Sequence, residues 1–130
     1  MIVLDASAAV EIVRDPAAAA KFRQTFGFRM LHAPHLIDLE VLQVFRRFTQ
    51  SGEVSSSDAS EALDYFRMLF IRRHSHQPLF ARIWQLRENL TAYDAAYVAL
   101  AEALDAPLVT FDSRLARSSG HRATIELLAR

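Results

Sequence analysis

The sequence has no cysteine, and Lys21 is the only lysine among its 15 basic residues, the rest being arginines. Without cysteine, disulfides and thiolate metal sites are excluded, and a cytoplasmic location is the default expectation. With one lysine, most lysine-dependent catalysis is removed from consideration. No apolar run approaches the roughly 18 residues that a membrane-spanning helix needs. The first residues, MIVLDAS, contain Asp5 and no basic segment, so we expect neither a signal peptide nor a membrane anchor.

The composition indicates one compact domain spanning residues 1–130. The chain is 52% hydrophobic and 23% charged, with three glycines and four prolines, which is typical of a globular protein rather than a disordered one. Its 15 basic and 15 acidic residues cancel, so charge alone does not indicate a nucleic-acid partner. Arginine suits phosphate and base contacts, but genomic base composition is a second explanation for its excess over lysine.

Short apolar segments alternate with longer amphipathic ones along the whole chain. We predict strands at 2–4, 29–31, 107–111 and 123–125, and a short strand or a bend at 70–74. Predicted helices cover 7–14, 16–27, 35–50, 58–68, 78–87, 92–104 and 113–117. This alternation predicts an α/β fold, with a parallel sheet between layers of helices. In such folds the active site lies beyond the carboxyl ends of the strands.

Two aspartates come directly after predicted strands. Asp5 follows IVL and Asp112 follows PLVTF, so both belong at the edge of the sheet where active sites form. Each aspartate also precedes a predicted helix, and capping that helix is an alternative role for it.

Two further acids lie on helix faces that are otherwise apolar. Asp94 shares a side of its helix with Tyr97 and Val98, and Glu40 lies one turn from both Leu36 and Val44. The spacing of Thr91 and Asp94 matches a capping box, which explains an acid there but not the side on which it lies. A carboxylate on a packing face must be hydrogen-bonded, paired or bound to a metal.

The four acids become more informative if the fold brings them together. Two carboxylates near 4 Å repel each other by about 4 kcal/mol at an effective dielectric of 20, so protons or cations must accompany such a cluster. Ligands that are all oxygen favour Mg²⁺ or Mn²⁺. The pairs of histidines in HAPH and HSH have short spacings without a helical context, and they do not indicate a zinc site.

Four stretches, MIVLDAS, APHLIDLEVLQVFRR, LTAYDAAYVALAEAL and PLVTFDSRLAR, together resemble the PIN-domain ribonucleases. The resemblance is greatest to the VapC type, the toxins of bacterial toxin–antitoxin pairs, and it extends over essentially the whole chain in order. It implies a PIN-like three-layer sandwich, in which helices flank a short, mostly parallel central sheet. The family's acidic set falls on Asp5, Glu40, Asp94 and Asp112, and its supporting hydroxyl residues on Ser7 and Thr110.

The resemblance also implies an activity and a substrate. The enzyme would be an endoribonuclease dependent on Mg²⁺ or Mn²⁺ that uses a metal-activated water and leaves a 3′-hydroxyl and a 5′-phosphate. Asp5 and Asp94 would be the primary metal ligands. Cleavage of structured RNA, in a transfer RNA or a ribosomal RNA loop, would inhibit translation. Candidate RNA-binding residues are Arg46, Arg47, Arg72, Arg73, Arg114 and Arg117, and for each of them an ordinary solvated surface position is the alternative.

Two protein partners are expected. The resemblance implies a cognate antitoxin, and a cluster of carboxylates would attract an arginine from it. The resemblance also implies a homodimer. Candidates for the apolar surface that such a dimer needs are Phe45, Phe48, Phe66 and Phe70, since nine phenylalanines are many for one small core. For each of them, a position in the core is the alternative.

The alternative to an enzyme is a non-catalytic interaction module built on the same scaffold. Haloacid-dehalogenase-like phosphatases and phospho-receiver domains also place an aspartate after a first strand. Both need a lysine late in the chain, and Lys21 comes too early.

Overall fold

The computed structural model describes residues 1–129, whose centre is a five-stranded sheet in which every pairing is parallel. The strands are β1 (Ile2–Leu4), β2 (Leu31–Pro34), β3 (Ile71–His74), β4 (Leu108–Thr110) and β5 (Ile125–Leu127). Their order across the sheet is β3-β2-β1-β4-β5. Every residue of β1 and β4 is buried, as expected for central strands that are covered on both faces.

Seven helices flank the sheet, and the α/β class predicted from the sequence is confirmed. They are α1 (Ala6–Arg14), α2 (Pro16–Phe26), α3 (Ile37–Ser51), α4 (Ser56–Met68), α5 (Phe80–Gln85), α6 (Ala92–Leu104) and α7 (Ser113–Ala116). From the central strand β1, the sheet continues through β2 to β3 on one side and through β4 to β5 on the other. With right-handed crossovers, this puts α1 to α4 on one face and α5 to α7 on the other.

Polar side chains begin five of the helices. The side chains of Asp5, Asp15, Ser55, Thr91 and Asp112 each accept a hydrogen bond from a backbone N–H in the first turn that follows. The capping role considered for Asp5 and Asp112 is therefore real. It does not exclude a second role, because a carboxylate has about four acceptor sites and a cap uses one or two.

Several boundaries differ from the prediction. Strand β2 lies at 31–34 rather than 29–31, and α3 begins at Ile37 rather than just after Pro34. Pairing with β3 explains both shifts, since Pro34 lies opposite His74 and the N–H of His35 donates to the carbonyl of His74 at 2.9 Å. Proline therefore ends a strand here and does not open a helix. The ambiguous segment at 70–74 is a strand, β3.

The C-terminal half differs in two smaller ways. The helix predicted over 78–87 is divided into a 3₁₀ turn, Gln77–Leu79, and the short helix α5. The last strand lies two residues later than 123–125, because β5 follows the register of its neighbour, in which Leu108 faces Ile125.

The core alternative is confirmed for two of the four phenylalanines considered for a partner-facing surface, and a third is half-buried. Phe45 and Phe66 are buried in the core, and Phe48 packs against that core beneath the guanidinium of Arg14. Only Phe70 is on the surface, with 79% of it exposed. The space between α1, α3 and α4 is large enough to bury these rings, which composition alone could not show.

Candidate active site at the carboxyl ends of β1 and β4

The carboxyl ends of β1 and β4 lie side by side where the strand order reverses direction. Register pairs Leu4 with Val109, so Asp5 leaves its strand beside Thr110 and Asp112 follows two residues later. This reversal is the topological switch point, where open α/β sheets bind their ligands. The two strand-end acids are thus together, as the sequence predicted.

Asp5 is buried, with 5% of the residue exposed, and three hydrogen bonds fix its carboxylate. The Ser7 hydroxyl and the N–H of Ala8 donate to Oδ1 at 2.7 and 2.9 Å, and the Thr110 hydroxyl donates to Oδ2. These contacts agree with the supporting role that the family resemblance implies for Ser7 and Thr110. They leave acceptor capacity on Oδ2, which faces a single donor.

The two hydroxyl groups also tie the strand ends together. Ser7 Oγ accepts a hydrogen bond from the N–H of Phe111 at 2.9 Å, and Thr110 Oγ1 accepts one from the N–H of Asp112 at 2.9 Å. Each hydroxyl therefore donates to Asp5 and accepts from the backbone beyond β4. A serine or threonine is needed at each place, since the group must act as donor and acceptor at once.

Burial raises the pKa of Asp5 to about 6, because a charged carboxylate loses solvation in this position. The bonds from Thr110, Ala8 and Ser7 oppose this effect without overcoming it, and the negative charge of Asp94 adds to the rise. Asp5 is therefore the acid whose ionisation most needs a nearby cation.

Asp94 lies in the first turn of α6, where the Thr91 hydroxyl caps its N–H at 3.2 Å. Its side chain reaches toward the other acids, and its charge raises the pKa of both Asp5 and Glu40. The helix that bears it is buried along Ala95, Ala96 and Tyr97. Asp94 thus lies at the edge of a packing face, where it meets other carboxylates rather than solvent alone.

Glu40 projects from α3 and is held by a residue of α6. The Tyr97 hydroxyl donates to Glu40 Oε1 at 2.7 Å, and Tyr97 itself is buried. Burial raises the pKa of Glu40; the bond from Tyr97 lowers it, and Asp94 raises it further. Burial also raises the pKa of the Tyr97 phenol, so this hydroxyl keeps its proton and remains a donor. The sequence placed Tyr97 on the side of Asp94 but could not show its partner on α3.

Asp112 caps α7 and shares a cation with Asp94. Its Oδ1 accepts from the N–H groups of Arg114 and Leu115 at 2.9 and 3.3 Å. The guanidinium Nη2 of Arg114 lies 3.2 Å from Asp94 Oδ2 and 3.3 Å from Asp112 Oδ2. Asp94 is therefore electrostatically coupled to Asp5 and Glu40, and it shares the guanidinium of Arg114 with Asp112. We call this group of four carboxylates the acidic pocket.

The donor set fits a hard divalent cation. The acids offer carboxylate oxygens only, which are the ligands that Mg²⁺ and Mn²⁺ prefer, and a positive group already lies between two of them. Within residues 1–129, no three acidic, histidine or cysteine side chains converge closely enough to hold an ion in the positions that they occupy. The position between Asp94 and Asp112 is taken by the guanidinium of Arg114.

The candidate RNA-binding arginines lie on three separate elements. Arg46 and Arg47 are exposed on α3, Arg72 is exposed on β3, Arg114 is exposed on α7, and Arg117 is exposed at the C-cap of α7. Arg73 differs, because its guanidinium makes two hydrogen bonds to Asp38, at 2.7 and 2.8 Å, and is not free for RNA.

A separate groove with a volume of about 710 Å³ runs between α1, α2, α3 and α4. None of the four acids lines it. Its apolar lining includes Ile12, Val13, Phe45, Val54, Ala62, Tyr65, Met68 and Leu69, and its charged lining comprises Arg14, Arg23, Glu53, Asp58 and Glu61. Mixed charge around an apolar floor is typical of a surface that binds an amphipathic segment.

Comparison with known proteins agrees with this architecture. The model of the PIN domain family matches residues 2–120. Ribonuclease VapC12 of Mycobacterium tuberculosis is 45% identical over 130 residues, covering 99% of this chain and 100% of that protein. VapC ribonuclease Mb0985 of Mycobacterium bovis is 42% identical over 130 residues, covering both chains completely.

A solved structure is similar as well. The crystal structure of PAE2754 from Pyrobaculum aerophilum superimposes with a TM-score of 0.73 at 26% identity, covering 95% of this chain and 81% of that one. The family model, the full-length relatives and the parallel sheet with acids at its switch point agree, and the chain belongs to the PIN-domain family, in its VapC type.

Proposed function

We propose that the protein is an endoribonuclease dependent on Mg²⁺ or Mn²⁺, which acts as the toxin of a toxin–antitoxin pair. The observation that supports this most strongly is the meeting of Asp5, Glu40, Asp94 and Asp112 at the switch point of the sheet. Full-length relatives at 42% and 45% identity are named ribonucleases, which supports the same reaction class.

Asp5 and Asp94 would be the primary ligands of the ion, and Asp112 would complete its coordination. When bound, the metal supplies a water of lowered pKa and positive charge for the attacked phosphate. Ser7 and Thr110 fix the rotamer of Asp5 so that Oδ2 keeps its free acceptor site toward the pocket. No histidine or lysine side chain contacts the four acids in the part of the chain that the structure describes, so the proton must pass to a carboxylate or to solvent.

Glu40 is the carboxylate best suited to orient the attacking water and accept its proton. Tyr97 occupies Oε1 and leaves Oε2 free, so the orientation of the group is fixed while one oxygen remains available. The raised pKa of Glu40 makes it a stronger base than an ordinary glutamate.

The substrate would be a single-stranded loop of a structured RNA, in a transfer RNA or a ribosomal RNA. Proteins that read RNA sequence usually bind unstacked loop bases. Arg46, Arg47, Arg72 and Arg117 are exposed and without side-chain ion pairs among residues 1–129, so they can contact the phosphates that flank the cleaved bond.

A cognate antitoxin would hold this activity in check in the cytoplasm. An amphipathic segment of the antitoxin fits the groove between α1, α2, α3 and α4, whose floor is apolar. An arginine of the antitoxin would reach the acidic pocket, displace the metal and pair with the carboxylates, which an arginine fork matches in shape and charge.

A cleavage assay on a defined stem–loop RNA tests the enzymatic function. The purified protein with Mn²⁺ should produce fragments with a 3′-hydroxyl and a 5′-phosphate, and EDTA should stop the reaction. A matched variant, Glu88→Gln, removes an exposed carboxylate outside the pocket and should cleave at the parental rate. Sequencing of RNA 5′ ends after induced expression in cells would supply the physiological target.

The alternative function, a non-catalytic interaction module, predicts a different result. Such a module would bind no Mn²⁺ specifically and would yield no fragments from the stem–loop or from total cellular RNA. That outcome would reject the ribonuclease and favour the module.

A further inference from the structure

The guanidinium of Arg114 lies between two of the four carboxylates of the acidic pocket. One nitrogen of its guanidinium, Nη2, is within 3.3 Å of both Asp94 Oδ2 and Asp112 Oδ2. The side chain comes from α7, while its two partners come from the first turn of α6 and the cap of α7. One arginine of the chain itself therefore neutralises part of a cluster of carboxylates.

Its contacts differ from those of the other paired arginines. Arg82 binds Glu102 through two nitrogens, at 2.7 and 2.9 Å, and Arg73 binds Asp38 through two at 2.8 and 2.7 Å. Arg114 instead shares one nitrogen between two acids at longer distances, and 69% of its side chain is exposed. Exposed ion pairs with this geometry are weak, so the guanidinium can leave.

The backbone of Arg114 is held more firmly than its side chain. Its N–H donates to Asp112 Oδ1 at 2.9 Å, as part of the α7 cap. The side chain can therefore swing out of the pocket while its Cα remains beside Asp112. Departure of the guanidinium would free Oδ2 of both Asp94 and Asp112 without disturbing the cap.

We propose that Arg114 is an internal counter-cation of the acidic pocket, which a divalent metal ion must displace in order to bind. This inference rests on the proposed metal-dependent function, and it assigns to Arg114 a role opposed to metal loading. The protein would then hold its carboxylates together without metal, at the cost of a lower affinity for the ion.

Titration with MnCl₂, followed by calorimetry, measures the competition directly. The variant Arg114→Gln removes the charge and keeps a polar but shorter side chain, and Arg114→Lys keeps the charge but loses the planar fork. Arg117→Gln is the matched control, because it removes the same charge from an exposed position three residues away that has no side-chain ion pair within residues 1–129. The control subtracts the general effect of lowering the net charge.

Arg114→Gln should bind Mn²⁺ about 1.5-fold to fivefold more tightly than the parental protein, which is the range expected for the loss of a weak exposed pair. The Mn²⁺ affinity of Arg114→Lys should lie between those of Arg114→Gln and the parental protein. The affinity of Arg117→Gln should stay close to the parental value. Equal Mn²⁺ affinity for Arg114→Gln and Arg117→Gln would overturn the proposal, while Mn²⁺-dependent RNA cleavage by the parental protein would leave the proposed function intact.

Thermal unfolding in EDTA provides a readout that does not depend on metal or on activity. Asp94→Asn should raise the melting temperature more in the Arg114→Gln background than in the parental one, because without the guanidinium the repulsion of Asp94 is uncompensated. Equal shifts in the two backgrounds would show that Arg114 does not neutralise Asp94, and they too would overturn the proposal. Parental protein that neither binds Mn²⁺ nor cleaves RNA would instead reject the proposed function.

Discussion

At the scale of single residues, the pocket combines firm positioning with unfavourable charge. Asp5 receives three hydrogen bonds and is nevertheless less acidic than an ordinary aspartate, because burial outweighs those bonds. Glu40 follows the same pattern, with one bond from Tyr97 against burial and the charge of Asp94. Such groups are suited to a cation, since binding one would relieve both burial and repulsion.

Asp94→Asn should abolish cleavage while the protein stays folded. The amide keeps the shape of the carboxylate and the cap at Thr91, which involves the backbone N–H, but it removes a proposed metal ligand. Loss of a ligand should lower the cleavage rate by at least about 100-fold, since even outer-sphere partners are worth 10- to 100-fold. Cleavage rates and Mn²⁺ affinity measured side by side test this. A variant that cleaves at the parental rate with the same metal dependence would contradict the assignment.

Asp5→Asn should stabilise the metal-free protein near neutral pH. The folded-state pKa of Asp5, about 6, lies above its ordinary value of 3.8, so folding favours the protonated form. The parental protein then loses stability as pH rises from 4 to 6, by about 3 kcal/mol at most at pH 7. Asparagine has no charge to desolvate, and its advantage over the parental protein should shrink as the pH falls to 4.

Urea unfolding in EDTA at several pH values between 4 and 7 measures this difference. Asp15→Asn is the control, since it replaces an N-cap carboxylate at the exposed start of α2. An advantage of Asp5→Asn that grows toward acid pH, or that is absent at pH 7, would show that burial does not govern this carboxyl.

At the scale of elements, an ion pair fastens α6 to its surroundings. Glu102 accepts two hydrogen bonds from Arg82, at 2.7 and 2.9 Å, and one from the N–H of Arg122 at 2.9 Å. Only 2% of the Glu102 side chain is exposed, and Arg82 lowers its pKa to about 2. Because α6 bears Asp94 and Tyr97, this contact helps to fix the position of the pocket.

Glu102→Gln should destabilise the protein by about 1.5–3 kcal/mol at pH 7, the usual value of hydrogen bonds to a charged group. The folded-state pKa is depressed, so the contribution of Glu102 is present above its ordinary value of 4.5 and is lost as pH falls toward 2. The cost of the substitution should therefore decrease at acid pH. Urea unfolding of Glu102→Gln beside Glu88→Gln, which alters an exposed carboxylate, tests this. The loss of unfolding free energy in Glu102→Gln should change little between pH 7 and pH 4 and should decrease below pH 4. An increase in that loss below pH 4 would contradict the assignment.

The sequence was most informative where a local rule governs an element. A short apolar segment ending at an aspartate located β1 and β4, and the α/β class followed from the alternation of elements. These local rules could not predict which distant segments pair with each other. The contact of His35 with His74 decides where β2 ends and α3 begins, and it joins residues 39 positions apart. For the same reason, the sequence did not predict the hydrogen bond from Tyr97 to Glu40 or the position of Arg114 between two acids.

At the scale of the whole molecule, the predicted homodimer needs a surface other than the one first considered. Large apolar side chains that are exposed include Leu39 and Leu42 on α3 and Phe80 and Trp84 on α5. Single exposed apolar residues are ordinary, but several on two helices are typical of a surface that becomes covered. Phe45 and Phe66 are in the core and cannot contribute.

Light scattering coupled to size-exclusion chromatography should give twice the chain mass of 14.7 kDa at micromolar concentration. Leu42→Glu combined with Trp84→Glu should shift the protein toward a monomer, because charges would have to be buried at the interface. Arg46→Glu, which alters an exposed charged residue on the same helix as Leu42, is the control. A monomer mass for the parental protein would refute the homodimer.

The strand order has a consequence for folding during synthesis on the ribosome. The central strand β1 pairs with β4, and the Thr110 hydroxyl that holds Asp5 is separated from it by 105 positions in the chain. A ribosome synthesises the first acid of the pocket early and the residues that complete the pocket almost last. Long-range parallel pairing cannot form before both strands exist. A nascent chain that is released before β4 is synthesised would therefore lack Thr110 and Asp112, and we expect it to have no ribonuclease activity.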